Sequence, residues 1–141
     1  MKKIFSTAIN NIGVSISLLL TRVAVGGFML THGFPKFQNL IAGKLQFGDP
    51  IGIGSTPSFI LVVFAEFVCS ILLILGLATR FASIVLIINM SVAAFIALGD
   101  QPFAKKELPL LYLVFFIGFL IIGPGKYAID SLMNKKNRSR Y

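Results

Sequence analysis

Residues 58–77 read SFILVVFAEFVCSILLILGL, an apolar run broken by a single charge, Glu66. A helix needs roughly 20 mostly apolar residues to cross a bilayer, so this stretch predicts a transmembrane helix. Working outward, similar runs extend approximately over Ile12 to Leu30, Phe81 to Leu98 and Leu108 to Ile122. The last is short and draws on the flank of Pro109 and on Gly123 to Tyr127 at the membrane interfaces. Four such runs in 141 residues leave almost no chain for a soluble domain. The sequence therefore predicts an all-α transmembrane four-helix bundle, a single domain over residues 1–134, with a basic cytoplasmic tail at 135–141.

Composition agrees: 56% of residues are hydrophobic, 13% are charged and the mean hydropathy is +0.88, against about 25% charged residues in soluble domains. The single cysteine, Cys69, excludes an intrachain disulfide and a cysteine-pair redox relay. Lys2 and Lys3 before an apolar run resemble the start of a secretory signal. The run carries Asn10, Asn11 and Arg22, however, and no small-x-small cleavage site closes it, so it reads as a retained first helix.

Four crossings put both termini on one side, together with Lys2, Lys3, Arg80, Lys126, Lys135, Lys136, Arg138 and Arg140; the other side holds Lys36, Lys44, Lys105 and Lys106. Eight basic residues against four predict cytoplasmic termini. The net charge of +8 is thus mainly a topology signal. No Lys/Arg stripe lies on a soluble element, which argues against a nucleic-acid partner; the bilayer itself is the expected partner, with the basic tail against anionic headgroups.

Glycine and proline set the connections. His32-Gly33-Phe34-Pro35 is expected to end or kink the first helix, and Gly43 to Pro57 is too rich in Gly and Pro to be one long helix. An outer loop of about two dozen residues follows, a length that usually carries function or its own fold. Leu77 to Arg80 is a tight turn, Gly99 to Lys106 a short second outer loop, and Gly123-Pro124-Gly125 a helix stop. Leu20-Thr21-Arg22-Val23-Ala24 echoes Ala78-Thr79-Arg80-Phe81-Ala82, which leaves open a second placement of the first span, at about Leu18 to Phe37.

Charges within a span face the bundle and seek partners. Arg22 lies ten residues beyond Ile12, and Glu66 eleven before Leu77, so at 1.5 Å per residue both fall about 15 Å deep. The first placement predicts that Arg22 and Glu66 pair near the midplane, with Asn89 as a third member of the polar layer. The second placement lets Arg22 snorkel to headgroups and leaves Glu66 protonated or hydrogen-bonded. Such a layer serves either as a packing staple or as a substrate or proton site. On the outer side, His32, Lys36, Asp49, Asp100, Lys105, Lys106 and Glu107 are the candidate binding residues. A lone histidine builds no metal site, and no nucleophile, phosphate loop or other self-contained catalytic site is visible, so no cofactor is expected to be held by ligands of the chain itself.

Ordered blocks of residues carry a resemblance: Arg22; His32-Gly33-x-Pro35-Lys36; Asp49-Pro50-Ile51-Gly52-Ile53-Gly54; Phe64-Ala65-Glu66-x-x-Cys69-Ser70; Leu75-Gly76-Leu77-x-Thr79-Arg80; Asp100-x-Pro102-Phe103-x-Lys105-Lys106-Glu107 with Leu110-Leu111-Tyr112-Leu113; and Gly123-Pro124-Gly125-Lys126-Tyr127-x-x-Asp130. Together they resemble the DoxX family of small four-helix bacterial membrane proteins, which implies a place in the bacterial inner membrane. That resemblance implies one of several roles: a subunit linked to thiosulfate-to-quinone oxidation, a member of a redox-stress complex, or a cargo receptor or assembly chaperone. For this chain it leaves a non-catalytic scaffold or accessory subunit of an assembly with other membrane or periplasmic proteins, a subunit binding quinone or lipid between its helices, or a small transporter.

Overall fold

The computed structural model describes residues 10–138, with side chains through Asn134. Among the described residues there are five helices: α1 (Asn11–Ile41), α2 (Ser55–Leu75), α3 (Thr79–Ala97), α4 (Phe103–Ile122) and α5 (Ile129–Arg138). No strand occurs among the described residues, and the protein is an all-helical membrane bundle. Helices α1, α2 and α3 are each long and apolar enough to cross a membrane. The fourth, α4, matches them with 20 residues, but Lys105, Lys106 and Glu107 occupy its first turns.

Asn10 starts α1 by accepting hydrogen bonds from the amides of Ile12 and Gly13 at 3.1 and 3.2 Å, which satisfies two of the orphan donors of a helix start. The helix then runs 31 residues, about 46 Å, passing through His32-Gly33-Phe34-Pro35 rather than ending there. Proline removes only its own amide, and within a bundle neighbouring groups cover the freed carbonyl. The connection to α2 consequently spans only residues 42–54, shorter than the composition predicts. Residues 135–138, the start of the expected basic tail, continue the helix α5 begun at Ile129, while 139–141 lie outside the described residues.

Helix α1 packs on α2, α2 on α3 and α3 on α4, whereas α1 and α4 scarcely meet. Glycine sets the first of these contacts. A Cβ on Gly26 would lie 2.7 Å from Ile74 Cγ1, and one on Gly33 would lie 2.4 Å from the Glu66 carbonyl oxygen. Small residues at such crossings let membrane helices approach to backbone contact. Inside lie Met29, Cys69, Leu73, Leu86 and Phe116, while Ile60, Leu61, Ile88, Phe95, Val114 and Ile121 point outward, as expected where the surrounding solvent is lipid. The helices thereby define two ends, one at the chain termini and one at the 42–54 loop.

Candidate functional site

At the loop end each of the four long helices carries a proline or a π-wound segment at one level. Pro35 sits inside α1 and Pro109 inside α4. Phe64–Cys69 of α2 and Val92–Ala97 of α3 are wound as π-helix. Proline kinks a helix, and π-turns insert a residue and concentrate at functional sites. Between these four irregularities lies a cleft of about 140 Å³ lined from every helix, by Lys36 and His32, by Glu66, by Ala93 and Met90, and by Tyr112 and Pro109.

Its chemistry centres on Glu66, whose side chain is 7% exposed. Lys36 Nζ donates to both carboxylate oxygens, at 2.7 and 2.6 Å, and Asn89 Nδ2 donates to Oε1 at 3.2 Å. Gly33 makes this geometry possible, since α1 rests on the backbone of Glu66 itself and brings Lys36, one turn further on, within reach. The His32 ring is exposed at the mouth and stands edge-on to Tyr112, with centroids 6.2 Å apart. Positive and negative charges balance, so the cleft offers a donor and an acceptor with no net field.

Arg22 is elsewhere. It is buried at the terminal end, where Nη1 donates to the Pro124 carbonyl and Nη2 to the Tyr127 carbonyl at 3.2 Å. The expected Arg22–Glu66 pair does not form. Counting depth from Ile12 treats the start of the apolar run as the membrane surface, but α1 outlasts the other helices, so Arg22 falls level with Gly76 and with the Gly123–Gly125 turn. There Asp130 completes the closure: its carboxylate accepts from the amides of Ala78 and Thr79 at 2.8 and 2.9 Å, and its own amide donates to the Gly76 carbonyl at 3.0 Å. The second placement of the span, which separates Arg22 from Glu66 and leaves Glu66 hydrogen-bonded, agrees with this arrangement, and backbone carbonyls engage the Arg22 guanidinium.

A family comparison matches residues 17–99 to DoxX. The chain belongs to the DoxX family. A Haemophilus influenzae relative named "Uncharacterized protein" is 34% identical over 130 residues, covering 84% of this chain and 92% of its own. The Bacillus subtilis protein named "Putative oxidoreductase CatD" is 30% identical over 132 residues, covering 92% and 96%. The Escherichia coli "Inner membrane protein YqjF" is 30% identical over 129 residues, covering 86% and 95%. No solved structure matches the chain.

In this DoxX bundle the sequence-derived candidates separate. Lys36, His32, Glu66 and Asn89 converge, although the first two lie within α1 rather than in a loop. Asp49 folds the 42–54 loop on itself, accepting from Gly54 and Ile53 amides at 2.8 and 3.1 Å and from the Ser58 hydroxyl at 2.9 Å. The Gly54 amide, aided by Ser58, Ile53 and Gly52, holds its carboxyl below the usual aspartate range. Lys106 Nζ caps the Gly99 carbonyl and Lys105 Nζ reaches Gln101 Oε1, while Asp100 and Glu107 are exposed. Tyr112 and Asp130 stand in the blocks that carry the family resemblance, but sequence reasoning gave neither a place in the site or in the closure of the bundle. Tyr112 carried a signal, being a tyrosine in an otherwise apolar span, where a polar tip needs a purpose.

Proposed function

We propose that this DoxX protein is a membrane subunit that binds the head group of a quinone or quinol in the loop-end cleft, serving an assembly whose electron-transfer centres reside in partner subunits. The observation that carries the reading is the neutral Lys36–Glu66 pair exposed to the cleft. A quinone carbonyl needs a donor and a quinol hydroxyl needs an acceptor, and Lys36 and Glu66 supply one of each. An anionic lipid phosphate would meet Glu66 and gain nothing from an already neutralised lysine, so an uncharged ring is favoured. A cleft of about 140 Å³ is of a size for one small ring. The name borne by the Bacillus subtilis relative is in keeping with redox work. The basic-residue asymmetry supports cytoplasmic termini, which would put the cleft on the outer side, and the Escherichia coli relative's name is in keeping with an inner membrane.

The test is purification in gentle detergent, native mass spectrometry for co-purifying quinone and subunits, and calorimetric titration with the methylated dimethoxybenzoquinone ring. Binding that is lost in Lys36→Met and Glu66→Gln variants with native melting profiles supports the proposal. If wild-type protein takes up no quinone yet retains partner subunits, the pair is a packing staple and the chain is a non-catalytic scaffold. The Arg22 and Asp130 closures of the terminal end are in keeping with that second reading, because they tie helix ends together through backbone carbonyls and amides.

A further inference from the structure

The scarcity of contact between α1 and α4 leaves an open seam along the bundle. Two clefts fill it, one of about 510 Å³ between Gly13, Ser17 and Thr21 on α1 and Phe115 and Gly118 on α4, the other of about 460 Å³ between Thr21 and Phe28 on α1 and Leu108 and Tyr112 on α4. They share Thr21 and Phe115, and the second shares Leu108 and Tyr112 with the Lys36–Glu66 cleft. The result is one trough, apolar along its length and polar at its loop end. From Gly13 to His32 it runs about 28 Å at 1.5 Å per residue.

The trough opens into the Lys36–Glu66 cleft at Leu108 and Tyr112, so a single hydrocarbon tail laid along its apolar walls is continuous with a head group seated at the polar end. We infer that the α1/α4 seam is the binding groove for the single hydrocarbon tail of the ligand whose head occupies the Lys36–Glu66 cleft. This assignment rests on the quinone reading above and adds that the ligand enters sideways from the bilayer, head last seated and tail along α4.

The experiment compares two probes in lipid nanodiscs by calorimetry: the methylated dimethoxybenzoquinone ring alone, and the same ring bearing a decyl tail. Gly118→Phe obstructs the trough, and a Cβ at that position meets nothing within 4 Å, so the helix accommodates it. Ala24→Phe obstructs it from the opposite wall. The expected result is that each variant weakens the tailed probe about tenfold and leaves the bare ring unchanged. If both probes bind and the variants leave the tailed probe unaffected, the groove assignment is overturned while the head-group reading stands. If neither probe binds wild-type protein, both fall. Conversion of a wild-type dimer to monomer by Gly118→Phe, with tailed-probe affinity unchanged, assigns the seam to a second copy of the chain and also overturns the inference. Loss of both probes in both variants overturns it too, because the seam then acts through packing rather than through the tail.

Discussion

Replacing Lys36 by Met tests the central pair directly. Lys36 donates to both oxygens of Glu66, with the lysine side chain 32% exposed and the carboxylate 7%. Fully buried pairs cost 3–5 kcal/mol when one partner is deleted, largely because the other charge is stranded, and exposed pairs are worth about 0–1 kcal/mol. A one-third exposed lysine places this pair between those limits, so Lys36→Met should cost about 2 kcal/mol. Glu66→Gln frees a lysine that can reach water and should cost about 1 kcal/mol. The double variant strands neither charge and should also cost about 1 kcal/mol, which gives a coupling near 2 kcal/mol. Reversible unfolding in mixed micelles measures all four proteins. A parallel cycle with Arg22→Met and Glu66→Gln should be additive, since Arg22 lies fourteen residues from Lys36 along α1, about 21 Å. Additivity within about 0.5 kcal/mol for Lys36 and Glu66, or coupling between Arg22 and Glu66, would refute the assignment of partners.

Three further outcomes follow from the same geometry. Gly33→Ala should push α1 off α2, since its Cβ would overlap the Glu66 carbonyl at 2.4 Å; a loss of about 2 kcal/mol in the same unfolding assay is expected, with weakened quinone-ring binding, and a neutral result would mean that the helices do not touch there. The Asp49 carboxyl is held below its ordinary range by loop amides, so its contribution is complete above the unfolded pKa of about 4 and is lost as pH falls through the lower folded value. Hydrogen exchange at Ile53 and Gly54, corrected for intrinsic rates, should be flat from about pH 8 to 5 and accelerate only in stronger acid. For topology, a reporter fused after Tyr141 should be active only in the cytoplasm and one inserted near Gly48 only outside; the reverse would invert the sidedness derived from the basic residues.

How much of the fold was legible depends on which physical rule each residue obeys. Apolar length decides membrane insertion almost independently of packing, so four helices were readable from composition alone. The ends were not. Gly33 and Pro35 break helices in water, where a freed carbonyl finds solvent and the chain turns away; within this bundle α1 continues past them, and Gly33 instead serves as the flat surface on which Glu66 rests. The same misreading moved His32 and Lys36 into a loop and lengthened the 42–54 connection. Membership of the polar layer was readable for Glu66 and Asn89, because buried polar groups must find partners. The identity of the cation was not, since depth counting requires knowing where along a 31-residue helix the bilayer begins.

The two ends of the bundle dispose of their buried charges in opposite ways, and that contrast separates stability from chemistry. Arg22 is 2% exposed and is met by the carbonyls of Pro124 and Tyr127, groups that a helix end and its following turn must satisfy in any case. A cation there resolves two needs at once, and the Asp130 carboxylate does the same for the amides that open α3. Glu66 is met by another side chain, across a cleft, from a π-wound segment. A stable bundle would be served as well by an apolar residue at each position, given that buried ion pairs seldom add net stability over hydrophobic packing. On the proposed reading, Lys36 and Glu66, beside open space and next to the π-wound segments of α2 and α3, supply an exchangeable donor and acceptor, so that the terminal end anchors the helices and the loop end is where the proposed head group competes for hydrogen bonds.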